Sequence, residues 1–178
     1  MTTVLAVDLG SASGRVLAGT LHDGRIDVTD IHRFKHEARR REDGTLTWDV
    51  ATMEAETIIG LKKALEQFPD ARAVSIDTWG VDWAPLDENG ELVGDVVAYR
   101  DERTSRTLDA FRDRIGDREF FDLTGNQPAT INTANQIFAY MQENPADAQR
   151  VAAALFLPDY FACLLYTSDA ADDTPCVD

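Results

Sequence analysis

The segment VDLGSASGRV, Val7 to Val16, holds the first residues of the chain whose types and spacing could do chemistry. A short apolar run, TVLAVDLG, closes on Asp8 and Gly10, and a second apolar run opens at Arg15 and Val16. Between them Gly10, Ser11, Ala12, Ser13 and Gly14 carry almost no side-chain bulk. Backbone N–H groups in such a turn can approach an anion closely, with two hydroxyls and Arg15 alongside, and that composition suits a phosphate. The turn lacks the Gly-Lys-Ser/Thr ending of a Walker A loop and the spacing of the dinucleotide fingerprint. Asp8 would lie near the same phosphates, where a carboxylate makes sense as a holder of Mg²⁺, directly or through water. The plainer alternative is a hairpin whose small residues serve only the turn, with Asp8 capping it.

A second group lies in SIDTWGVDW, Ser75 to Trp83, followed by AYRDERT, Ala98 to Thr104. Asp77 and Asp82 are polar residues in an otherwise apolar strand. That is costly unless each is paired or faces a wet cleft. His22, His32 and His36 are scattered over turn and strand without ligand spacing, and no chemistry is assigned to them.

The elements that must position these residues follow from periodicity. TVLAVDLG, GRVLAGTLHDGRI and IDVTDIHRFKHE read as three strands joined by tight turns, with HDGR as hairpin punctuation, and make an antiparallel meander. In ATMEAETIIGLKKALEQF the residues Met53, Thr57, Ile58, Leu61 and Leu65 recur at helical spacing, and Asp49 can cap that helix. ARAVSIDTWGVDWAPLDENGELV returns to strand, with DENG as the next turn. From DERTSRTLDAFRDRIG the pattern is helical through NTANQIFAYMQENP and ADAQRVAAALF, with Phe111, Ile115, Phe120, Phe138 and Leu155 spaced as core. The order predicts an α/β or α+β domain with a mixed sheet.

At 178 residues the chain has room for one domain or slightly more. Its net charge of -15 argues against a nucleic-acid partner, because a phosphate backbone is gripped by clustered Lys and Arg. No basic and apolar leader opens the sequence and no apolar run approaches a membrane span, so a cytoplasmic location with no membrane partner is expected. Cys163 and Cys176 are the only cysteines, which leaves the main body without a disulfide framework.

Taken together, AVDLGSASGRV, IHRF, TWDV, DTWGVD, YRD and LPDYF resemble the N-terminal domain of the rhamnulokinases, within the FGGY carbohydrate kinase family, over about Val4 to Phe161. The resemblance implies an actin-like, ribonuclease-H-like domain that closes with a second one around ATP and a sugar. It implies transfer of the ATP γ-phosphate to the 1-hydroxyl of L-rhamnulose, with Mg²⁺ and backbone donors holding the phosphates. Carried over by motif, Ser11, Ala12, Ser13, Gly14 and Arg15 are the ATP-binding turn, and Asp8 supports the metal. Gly80 falls at the sugar-contacting position, flanked by Trp79 and Asp82. Two readings stand for Trp79, a ring face offered to the sugar or a core residue. Two also stand for Tyr99, Arg100 and Asp101: sugar contact, or an Arg100–Asp ion pair fixing the loop. Rival functions are an FGGY kinase for another ketose or polyol, and a non-catalytic actin-like ATP-binding or sugar-binding protein.

The ending CLLYTSDAADDTPCVD departs from the family's pattern, which continues after LPDYF into a stretch ending in LTG. Cys163 to Ser168 can be spelled TGT CTC TTA TAC ACA TCT and Asp169 to Asp172 GAC GCT GCC GAC, similar to the transposase end of a sequencing-library adapter. The expected organisation is therefore a truncated kinase N-terminal domain over residues 1–162 and a translated, non-native adapter over 163–178. The family draws its catalytic aspartate from its second half, so no catalytic base and no turnover are expected of this piece alone. The DNA across the codons for Ala162 and Cys163 is expected to change there from genomic to adapter bases. Genomic bases would return the tail to the protein and favour a single-domain binding protein.

Overall fold

The structure, a computed structural model, describes residues 1–167. Its elements are β1 (Thr2–Leu9), β2 (Ser13–His22), β3 (Arg25–Lys35), β4 (Ala38–Arg40), β5 (Leu46–Trp48), α1 (Val50–Gln67), β6 (Val74–Thr78) and β7 (Trp83–Leu86). They continue with α2 (Arg103–Ile115), α3 (Asp117–Thr124), α4 (Thr133–Glu143), α5 (Pro145–Ala148), β8 (Ala153–Phe156) and α6 (Leu157–Thr167). The chain divides into two compact units, one of Met1–Ala38, Asp49–Gly80 and the part from Leu157, the other of Arg39–Trp48 and Val81–Phe156. Of the expected adapter segment, Cys163 to Thr167 continue α6, and residues 168–178 lie outside the described residues.

The first unit is built on a mixed sheet of order β3-β2-β1-β6. The expected meander is there: β1 pairs antiparallel with β2, and β2 with β3. Its β2–β3 turn places Asp23 and Gly24 at φ 47° and 75°, the two positive values whose twist suits a two-residue hairpin. β6 then adds to the other side of β1 in parallel. Alternation along the strands gives one apolar face, where Leu5, Val7 and Leu9 are buried with Val16, Ala18 and Phe34. Helix α1 covers that face. Asp49 caps it, accepting from the Thr52 backbone N–H at 3.0 Å. Its buried residues are Met53, Thr57, Gly60 and Ala64, whereas Leu65 is half exposed. The face is rotated away from the larger aliphatic residues of the expected stripe because small residues let the helix axis come close to β2. Helix α6 lies along β6, with Leu157 and Phe161 buried.

In the second unit all four residues of β7 are buried, and β7 pairs antiparallel with β8 from Trp83↔Phe156 to Leu86↔Ala153. The expected DENG turn follows, Asp87 accepting from the N–H groups of Asn89 and Glu91 at 2.9 and 3.0 Å. Helices α2 and α4 pack together, with the Phe111 ring edge-on to Phe120 and Phe138. Of the residues spaced as core, Phe111 and Phe120 are buried, while Ile115, Phe138 and Leu155 are partly buried. One expectation fails. ADAQRVAAALF is helical only over α5, and its alanine-rich end forms β8, because the edge of β7 offers Ala153–Phe156 a hydrogen-bonded partner that outweighs alanine's helix propensity.

Gly60 is the tightest point of α1. A Cβ there would sit 2.4 Å from Val16 Cγ2, 3.0 Å from Val16 Cβ and 3.2 Å from His32 Cβ, and the last two atoms cannot swing aside. Gly60→Ala is therefore expected to destabilise the chain in urea unfolding by about 1–2 kcal/mol, overpacking outweighing the ~1 kcal/mol that alanine gains over glycine in a helix. An unchanged or raised midpoint would show that α1 is not seated this closely.

Candidate functional site

In the first unit the small-residue turn joins β1 to β2. Gly10 N–H donates to Ser13 O at 2.9 Å and closes it, and Ser11, Ala12 and Ser13 are exposed. At its base the antiparallel register sets Asp8 opposite Arg15. Arg15 Nε and Nη2 both reach Asp8 Oδ2, at 2.7 and 2.6 Å, and both side chains stay 43% exposed. On the other side of β1 the parallel register sets Asp8 beside Asp77, so the two carboxylates share a sheet face. Asp77 is exposed, and its Oδ1 accepts from Thr78 N–H at 3.0 Å. Two hard-oxygen groups next to a phosphate-sized turn fit Mg²⁺, which takes one or two carboxylates and fills its shell with water and phosphate oxygens. A full protein cage is not offered: among the described residues no group of three His, Cys, Asp or Glu converges.

Gly14 is glycine for a different reason. It is buried, and a Cβ on it would lie 2.2 Å from Phe34 Cζ and 2.9 Å from Leu9 Cδ2. Its missing side chain seats Phe34, and the exposed donors of the turn belong to Ser11, Ala12 and Ser13.

Trp79 and Gly80 end the second segment of this unit. Trp79 is half-buried, with the His36 ring stacked on it at 5.8 Å and 27°. A Cβ on the exposed Gly80 would meet nothing within 4 Å. The chain's own packing does not call for glycine there.

In the second unit Asp82 is fully buried and accepts from Trp48 Nε1 at 2.6 Å. The two aspartates thus take the two alternatives open to them: Asp77 faces solvent and Asp82 is paired inside. Val81 has φ 73°, a left-handed conformation that a β-branched residue resists. Its carbonyl accepts from Thr133 Oγ1 at 2.8 Å and Gln136 Nε2 at 3.0 Å. Sequence reasoning missed this pair, and the only signal was polar residues on what becomes the inner face of α4. The Arg100–Asp ion pair does not form. Arg100 instead bonds the Tyr99 hydroxyl at 2.8 Å and lies over its ring. Asp101 fixes the loop alone, accepting from the N–H groups of Leu46 and Arg103 at 2.8 and 2.9 Å. The Arg103 side chain is buried nearby, and desolvation pulls its guanidinium pKa down against the opposing pull of Asp101 and Glu143.

The family model described as "FGGY family of carbohydrate kinases, N-terminal domain" matches residues 3–175. The chain is 38% identical over 159 residues to the rhamnulokinase of Mannheimia succiniciproducens, covering 88% of this chain and 33% of that protein. It is also 38% identical over 160 residues to the rhamnulokinase of Klebsiella pneumoniae, covering 89% and 33%. It thus spans about a third of the length of the curated relatives it matches. Among solved structures it is similar to the xylulose kinase of Rhodospirillum rubrum, with TM-score 0.78, 17% identity and coverage of 91% and 34%. The glycerol kinase of Plasmodium falciparum with ADP gives TM-score 0.73, 16% identity and coverage of 93% and 33%. At those identities the likeness is one of fold.

The buried Trp48–Asp82 bond makes its own prediction. Trp48→Phe keeps most of the ring volume and removes a donor from a desolvated carboxylate, so unfolding is expected to become easier by about 1–3 kcal/mol. A change under ~0.5 kcal/mol in the denaturation midpoint would mean that Asp82 does not depend on the indole.

Proposed function

We propose that this chain, which belongs to the FGGY family of carbohydrate kinases, is the N-terminal part of an enzyme that transfers the γ-phosphate of ATP to the 1-hydroxyl of L-rhamnulose. The observation that carries the reading is the exposed Ser11–Ser13 turn with the Asp8–Arg15 pair at its base and Asp77 registered beside it. The sugar identity rests on the 38% identity to rhamnulokinases from two organisms. On this reading Ser11, Ala12 and Ser13 donate to the phosphates, Gly14 holds the end of the turn against Phe34, and Arg15 orients Asp8. Asp8 holds Mg²⁺ through oxygen or water, and the ion supplies positive charge between phosphate oxygens. Gly80 gives the sugar room against the backbone, Trp79 offers it a ring edge or face, and Asp82 supports that segment from inside through Trp48. The carboxylate that takes the hydroxyl proton belongs, on this reading, to the part of the relatives that the chain does not span.

Residues 1–162 are proposed as the kinase portion and 163–178 as adapter-derived, although the family match itself runs on to residue 175. A cytoplasmic site of action is part of the same proposal; among the described residues no helix is long and apolar enough to cross a membrane. The second reading is an FGGY kinase for another ketose or polyol, since proteins titled xylulose, gluconate and glycerol kinases share the fold.

The test is ADP release by the full-length gene product with ATP, Mg²⁺ and each of L-rhamnulose, D-xylulose, glycerol and gluconate. Preference for L-rhamnulose by kcat/KM is expected, with no turnover by the 178-residue chain alone. Preference for another substrate selects the second reading, and turnover by the chain alone would refute the absence of a base. Gly80→Ala separates the site from the scaffold. Unfolding should move by less than ~0.5 kcal/mol, while the sugar KM should rise about tenfold or more, because a misplaced substrate loses its attack geometry.

A further inference from the structure

A ladder of rings runs along the α1 side of the first sheet and ends on Trp79. His32 and Phe34 lie stacked on β3, centroids 5.9 Å apart. His36 follows 5.9 Å from Phe34 and stacks on Trp79. The far end is fixed to α1, where His32 Nε2 meets Glu56 Oε2 at 2.6 Å and its Nδ1 lies 3.1 Å from Lys63 Nζ. At the near end His36 also touches the phosphate-binding turn. Its backbone N–H donates to Ala12 O at 3.4 Å, and its ring interacts with the Gly10 backbone. One residue therefore contacts the turn through Gly10 and Ala12, and Trp79 through its ring face.

We propose that His36 is a positioning residue that holds the phosphate-binding turn and Trp79 in one register, so that the nucleotide and sugar subsites are set by a shared support. The proposal rests on the sugar-kinase reading above. Phosphoryl transfer depends on positioning more than on covalent chemistry by the protein, and a single rigid group touching both subsites is a direct way to fix their separation. A histidine suits the place. Its flat ring stacks as an aromatic while its nitrogens address the turn backbone, which phenylalanine cannot do. Burial pulls its pKa below the ordinary histidine range, which keeps the stacked ring neutral at neutral pH.

The experiment is two-substrate kinetics of the full-length gene product with His36→Ala and His36→Phe. His36→Ala removes both contacts of the ring, and KM for MgATP and for the sugar should each rise roughly 3- to 10-fold, more than kcat falls. His36→Phe keeps the stack on Trp79 and loses the turn contact. The sugar KM should return to within about twofold of wild type while the MgATP KM stays raised. Variants with wild-type unfolding midpoints and unchanged KM values overturn the proposal, as does a phenylalanine variant no better than alanine for the sugar. If His36→Ala does not fold, the phenylalanine variant decides alone: a raised MgATP KM with a near-normal sugar KM supports the coupling, and two equal shifts overturn it. If the wild-type enzyme phosphorylates no sugar, it is the kinase reading that has failed.

Discussion

The two registers of β1 are the constraint from which the rest of the first unit follows. The strand is paired antiparallel on one side and parallel on the other, and its side chains alternate between a buried face and an open one. Leu5, Val7 and Leu9 fix the buried parity under α1, so Asp8 has to point the other way. A slip by one residue would put Asp8 into the core and Val7 into solvent, burying a carboxylate without a partner. The apolar core thereby also fixes the open face, and the alignment of Arg15, Asp8 and Asp77 follows from packing that none of the three takes part in. The turn lies just past the carboxyl end of β1, beside the carboxyl end of parallel β6, which is where open sheets with parallel strands leave a crevice for ligands.

Close approach sets the glycines, and each answers to a different neighbour. Gly60 admits Val16 of the sheet and Gly14 admits the ring of Phe34, whereas a side chain on Gly80 would meet nothing. The same letter in the sequence therefore means helix seating, strand packing and open space. Val81, directly after Gly80, carries the opposite burden: left-handed backbone on a β-branched residue costs on the order of 1–3 kcal/mol. Two side-chain hydrogen bonds to its carbonyl, each worth about 0.5–1.5 kcal/mol, offset a strain of that size. Strain held in place by a specific clamp is more informative than the motif's letters, because it shows that the surroundings over-determine this peptide's orientation.

Much of this was legible in the sequence and some was not, for identifiable reasons. The meander, the Asp49 cap and the DENG turn are local, and local signals gave them correctly. The buried face of α1 was misjudged because hydrophobicity ranks Leu65 above Ala64, whereas distance to the sheet ranks the smaller residue first. β8 was hidden because alanines prefer helix until a strand edge is available, and the edge of β7 lies far away in sequence. Gly14 and Ser11 looked alike in the turn, yet one packs and the other is exposed. The histidines were set aside for want of ligand spacing. That criterion tests for metal binding and is blind to stacking, which is what His36 does.

Charge closes the argument about the nucleotide. The chain carries a net charge of -15, and the one cation at the base of the turn, Arg15, is already bonded to Asp8. Asp77, in register with Asp8, adds a second negative group to the same face. A bare polyphosphate brought to Ser11, Ala12 and Ser13 would meet backbone dipoles in front and carboxylates behind, and fixed partial charges of a few N–H groups do not outweigh that repulsion. On the proposed reading Asp8 and Asp77 are what reverse the sign, because carboxylates that repel a free anion attract the same anion once it carries a divalent cation. The acidity that excludes a nucleic-acid partner thus favours the metal complex of the nucleotide over the nucleotide alone, and it does so at the spot where the register of β1 sets two aspartates side by side.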